Sequence, residues 1–111
     1  MNTKIVKLLI LYFIIFSSGI ALISFLYMDP ILLTLILLLC LLSCFKFWHK
    51  IDIYSFIIGA IVGPSAEIIG VYFGAWKYTN PTLLNIPLWL PLAWGAGVMV
   101  IRRLTEAIIE K

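Results

Sequence analysis

Charge is what this chain has least of. Five acidic residues and one histidine are distributed over 111 positions, and only 12% of the residues carry charge. Soluble domains carry about 25%, so an ordinary water-facing surface cannot be assembled from this composition. The scarcity of His, Asp and Glu also removes the clusters that metal centres and nucleophilic triads require, so neither a metal nor a cofactor is expected. His49, the lone histidine, stands beside Lys50 in a polar break, far from any other candidate group. No glycine-rich phosphate loop is present, and an aspartate-rich DDxxD cluster, which a magnesium-dependent prenyltransferase would need, is missing. Cysteine is limited to Cys40 and Cys44, one helical turn apart in a leucine-rich run. Helix geometry disfavours a bridge between them, and they read as packing residues. Repeats, low-complexity tracts and linkers are absent too, which leaves a single unit spanning 1–111.

Apolar sequence is what the chain has instead. Hydrophobic residues make up 64% of it, and the mean hydropathy is +1.16. A membrane-spanning helix needs about 20 mostly apolar residues. Four runs qualify, at about 5–27, 31–48, 51–76 and 86–104, separated by Asp29-Pro30, by His49-Lys50 and by a proline-rich stretch. The expected fold is therefore an all-α integral membrane protein with four transmembrane helices. The first run is too long for a signal peptide and is expected to stay as a helix. Basic residues flank the runs in place of forming one stripe, which speaks for a membrane surface and against nucleic acid. With four spans, Lys4, Lys7, Lys46, Lys50, Arg102, Arg103 and Lys111 fall on one side and Lys77 on the other. That asymmetry predicts a multi-pass protein of the inner membrane with both termini cytoplasmic. Asn80 lies in Asn-Pro-Thr, where the proline blocks glycosylation. Trp48, Trp76, Tyr78 and Trp89 are expected at the membrane–water boundaries, and Trp94 deeper in the fourth span.

One residue breaks the apolar pattern of the third run. Glu67 shares a helix face with Gly59, Gly63, Gly70 and Gly74, all within about 80° of arc. A face of this kind admits either a closely packed helix or a flat ligand. Intramembrane acids usually mark a path for ions, protons or substrate. No basic residue is placed to reach Glu67, so desolvation favours its neutral form, a proton donor. Pro64, one turn before it, is expected to open or kink the helix. Pro87 is expected in the first turn of the fourth span, with Pro91 bending it a turn further on. Tyr72, Trp76, Tyr78, Trp89 and Trp94 are expected in the same outer half as Glu67, where their ring faces would stabilise a cation made by protonating an alkene.

The run from Ala66 to Trp94, through Glu67, Gly70, Gly74, Trp76, Tyr78, Pro81, Pro87, Pro91 and Trp94, resembles the membrane carotenoid-biosynthesis proteins. The likeness is to the acyclic-carotenoid hydratases and, more loosely, to the lycopene cyclase domain. It covers about a quarter of the chain. It implies a cofactor-independent isoprenoid hydratase or cyclase in which Glu67 protonates a polyene end group. Gly63, Gly70, Gly74, Tyr72, Trp76, Tyr78 and Trp94 would then bind the isoprenoid or membrane lipid. Leu88 and Trp89 stand where cyclase domains carry acids after the proline matching Pro87, which favours hydration over ring closure. Hydratase-like proteins are longer, so a second copy or a partner membrane subunit is expected to complete the pocket. Two other readings compete. One is a non-enzymatic assembly subunit gripping another helix through the glycine face. The other is a small proton-coupled exporter, suggested by size and an embedded glutamate alone.

Overall fold

The computed structural model describes residues 3–78 and 81–110, so Asn80 and Lys111, used above, lie outside the described residues. Four α-helices make up the fold: α1, Thr3–Leu26; α2, Pro30–Cys44; α3, Lys50–Tyr72; and α4, Leu90–Glu110. A single 3-10 turn, Phe45–Phe47, extends α2. Three segments are long and apolar enough to cross a membrane: Thr3–Leu26, Pro30–Phe47 and Lys50–Tyr72. The fourth helix is 21 residues long but carries Arg102, Arg103 and Glu106, which lower its hydropathy.

Local chemistry explains the first breaks. The Asp29 carboxylate accepts from the Leu32 N–H at 3.2 Å, and Pro30 occupies the first turn of α2, where its missing N–H costs nothing. Ser18 and Ser24 return their hydroxyls to the carbonyls of Ile14 and Ile20 at 2.8 Å, so α1 carries them without an unsatisfied donor. Before α3, the Asp52 carboxylate accepts from the His49 N–H at 2.8 Å, closing the helix entry. Cys40 and Cys44 are free thiols and exposed, so they face outward and not into the bundle.

The second half departs from the expected boundaries. α3 continues unbroken through Pro64, and the Ser65 hydroxyl bonds the Ile61 carbonyl at 2.5 Å. It stops at Tyr72 and not at Trp76. Gly74 adopts φ +80°, the Gly74 N–H bonds the Val71 carbonyl at 3.0 Å, and the Ala75 N–H bonds the Gly70 carbonyl at 2.9 Å. These two bonds form a Schellman termination, which needs a residue tolerant of the left-handed region. The chain then turns back. Leu83 and Ile86 pair through a two-residue turn in which Leu84 and Asn85 both have positive φ, the arrangement of a type I′ hairpin turn. Consequently α4 starts at Leu90, and Pro91, expected to bend the helix, sits in its first turn, the place foreseen for Pro87. Pro87 is buried in the loop before it.

α4 is the central element, packed against α1, α2 and α3, most extensively against α3. Glycines on both helices permit that approach. A Cβ added at Gly59 would lie 2.8 Å from the Trp94 carbonyl, and one at Gly95 would lie 2.8 Å from the Phe56 carbonyl and ring. A buried cluster of Leu33, Ile86, Trp89 and Leu90 joins α2 to the loop and the start of α4. Trp89, expected at a membrane boundary, is instead 7% exposed in this cluster. Its position follows from the short hairpin, which folds the 86–89 segment inward.

The α3–α4 contact yields a graded prediction. Gly95→Leu meets backbone at Phe56 and is expected to destabilise the chain by about 1–3 kcal/mol in detergent unfolding. Gly97→Ala, where an added Cβ meets nothing within 4 Å, is expected to stay within about 0.5 kcal/mol of the parent. Equal effects would contradict the packing described.

Candidate functional site

Glu67 lies five residues before the end of α3, about 7.5 Å along the helix axis. Because α3 ends early, the acid stands closer to the membrane boundary than a span reaching Trp76 would place it. The chain reversal after Gly74 brings two aromatic donors back onto it. Trp76 Nε1 donates to Glu67 Oε2 at 2.7 Å, and the Tyr78 hydroxyl donates to the same oxygen at 2.8 Å. The Trp76 ring lies across Gly70, whose missing side chain makes the fold-back possible; a Cβ there would overlap the indole. Glu67 and Tyr78 are half-buried, while Trp76 is 47% exposed, so the cluster lies at the protein surface.

One carboxyl oxygen therefore takes both donors. Oε1 has no hydrogen-bond partner among the described residues, and no ion pair among them involves Glu67. Burial first, and then the hydrogen bond to the Glu67 carboxylate, push the Tyr78 phenol above its ordinary range, so this hydroxyl stays protonated and donating. Among the described residues, the carboxyl group is thus held through one oxygen by two neutral donors.

The other expected site residues are dispersed. Gly63 lies beneath the Trp94 indole, which fills the space a side chain would occupy. Gly74 has left the helix face and serves as the helix terminator. Tyr72 is 80% exposed and packs edge-on against Phe73 at 5.1 Å. Thus the glycine face is covered over Gly59 and Gly63 by α4 and over Gly70 by Trp76, and the aromatic set narrows to Trp76 and Tyr78. Trp89 Nε1 is buried without an acceptor.

At the opposite end of α3 stands a cluster that the sequence reading overlooked. Asp52 is fully buried. Arg102 pairs with its Oδ1, Arg103 Nε donates to the same oxygen at 2.9 Å, and Arg103 Nη2 pairs with Oδ2. Arg103 also reaches the Tyr12 hydroxyl at 3.0 Å and the Phe47 carbonyl at 3.2 Å. One guanidinium thus ties α1, the turn after α2 and α3 to α4. In the sequence the two arginines look like the basic flank of a span. The available signal was a single acid in the first turn of α3, on the side where four spans would bring Arg102 and Arg103.

No family model, curated protein or solved structure matches this chain. The geometry alone carries the functional argument.

Removing the buried charge tests the Asp52 cluster. Asp52→Asn is expected to cost about 3 kcal/mol, because it leaves the partly buried Arg103 without its counter-charge and Arg102 with Glu106 alone. Glu106→Gln, at a side chain 49% exposed, is expected to cost less than about 1 kcal/mol. Thermal unfolding of both variants in one detergent makes the comparison.

Proposed function

We propose that this chain is a multi-pass protein of the inner membrane, with four spans and both termini cytoplasmic, that binds an isoprenoid or polyene lipid at Glu67, Trp76 and Tyr78. The carrying observation is the division of labour within the Glu67 carboxyl: Oε2 accepts from both aromatic residues, and Oε1 has no partner among the described residues. A proton on Oε1 would be presented outward, beside the exposed indole of Trp76. Transfer to a polyene double bond forms a C–H bond and leaves a carbocation on the neighbouring carbon. Aromatic faces stabilise such a cation. Water adds to it, and the proton released returns to the Glu67 carboxylate. Ring closure followed by proton loss gives the cyclase outcome from the same cation. The chemistry requires no cofactor.

The basic asymmetry of the span ends supports the orientation. The open side of the cluster supports a second copy or a partner membrane subunit as its wall. The competing readings gain less from the geometry. An assembly subunit gripping a partner through the glycine face would have to displace Trp94 and Trp76 from it. A proton-coupled exporter would place its acid on a central path, whereas Glu67 sits near a helix end beside exposed aromatic residues.

The test is mass spectrometry of lipid extracts from a host that makes acyclic isoprenoids, expressing the parent chain or Glu67→Gln. A hydrated or cyclised product is expected with the parent alone, lowered at least about 100-fold in the variant, the usual scale for a lost general acid. Extracts matching the empty host despite good expression of both chains would overturn the enzymatic reading for those substrates.

A further inference from the structure

Asp52 lies 15 residues before Glu67, about 22 Å back along α3. There a cavity of about 260 Å³ opens between α1, α3 and α4, its polar lining formed by Tyr12, His49, Asp52, Arg102, Arg103 and Glu106. The two arginines are engaged differently. Arg103 directs every nitrogen to an acceptor: Asp52, Tyr12 and the Phe47 carbonyl. Arg102 directs one terminal nitrogen to Asp52 and the other to Glu106, and its Nε is buried without any acceptor. Each terminal nitrogen carries two hydrogens, so donors remain. Glu106, half-exposed, gives only one oxygen to Arg102. The cavity therefore holds, one helical turn apart on α4, a cation with spare donors and an anion with a spare acceptor.

Charge balance narrows what such a cavity accepts. Within the lining itself Asp52 and Glu106 cancel Arg102 and Arg103, so a simple anion or a simple cation would leave those four side chains with an unbalanced charge. A molecule carrying a phosphate and an ammonium a few bonds apart adds none. Depth narrows it further. Asp52 is in the first turn of α3, Lys4 and Lys7 lie at the start of α1, Lys50 at the start of α3, and Lys46 in the turn after α2. In a bilayer this is headgroup level, where basic side chains meet lipid phosphates. The anionic partner of the ammonium would be Glu106, whose carboxylate accepts N–H bonds that a quaternary ammonium cannot give. A quaternary group is held by an aromatic cage instead, and this lining offers only the Tyr12 ring and the His49 imidazole, too few to enclose one. We infer that this cavity binds the headgroup of an ethanolamine phospholipid, its phosphate on Arg102 and its primary ammonium on Glu106. This site is separate from the Glu67 cluster and stands whether or not that cluster acts on isoprenoids.

The test uses the full chain in detergent, with native mass spectrometry after adding equimolar palmitoyl-oleoyl phosphatidylethanolamine, phosphatidylcholine and phosphatidylglycerol. Phosphatidylethanolamine adducts are expected to exceed each of the others about fivefold, the factor one solvent-accessible ion pair supplies. Glu106→Gln, which leaves the Asp52 cluster in place, is expected to lower them to the phosphatidylcholine level. Arg102→Lys keeps the charge while losing the guanidinium geometry, and is expected to weaken phosphatidylethanolamine severalfold. Glycerophosphoethanolamine without acyl chains, at the same concentration, is expected to give no adduct. A preference for phosphatidylglycerol would identify a plain anion site and overturn the assignment. So would equal binding of all three lipids, an ethanolamine preference that survives Glu106→Gln, or tight binding of the chain-free headgroup.

Discussion

The fully buried carboxylate of Asp52 is the constraint on which the fold depends. Between helices in a bilayer the hydrophobic effect offers little, because lipid tails are as apolar as the helices, so close packing and buried polar contacts must hold a bundle together. Here both act on the same pair. Glycines at 59, 63 and 95 let α3 and α4 approach until backbone and indole fill the gap. Asp52 then fixes the register of that approach, since its two oxygens must meet two consecutive arginines near the end of α4. A shift of one residue along α4 would turn the guanidinium groups by about 100° around the helix and leave the charge stranded. Arg103 carries the same constraint outward to Tyr12 of α1 and to the Phe47 carbonyl.

How far the sequence discloses this depends on the reach of each interaction. Breaks set by adjacent residues were legible: Asp29-Pro30 and His49-Lys50 interrupt apolar runs, and their cap and proline chemistry operates within three residues. The end of α3 was not. Val71 to Trp76 continues the apolar pattern without a charge, and Gly74 reads equally well as part of a helix face or as its terminator. The prolines behaved likewise. Pro87 and Pro91 are both compatible with a first turn, and the choice was made by the Leu83–Ile86 hairpin, whose positive φ at Leu84 no propensity would suggest. Asp52 and its arginines stand 50 and 51 positions apart, beyond any local pattern. Each taken alone looks like a span flank.

The candidate site was half legible for the same reason. Glu67 stood out because an acid is rare in such a segment, and the aromatic residues beyond it because they are dense. Which of them reach it depends on the direction of the chain after Gly74. A continuing helix would have set Trp76 nine residues further along the axis. The Schellman turn folds it back across Gly70 onto Glu67 instead. Gly70 therefore serves a role that its spacing alone misassigns: it makes room for the chain's own indole, not for a ligand or a neighbouring helix.

Two acids on one helix have thus been given opposite environments. Asp52 is buried and met by a backbone N–H and by two cations, which tie α3 to α4. Glu67 is met by two neutral donors on one oxygen, near the surface, and its other oxygen has no partner among the described residues. Neutral donors orient a carboxyl group without placing a counter-charge beside it. Charge compensation lies at the end of α3 that holds the bundle together, and hydrogen-bond compensation at the end that opens outward, and the chemistry proposed for Glu67 relies on that separation.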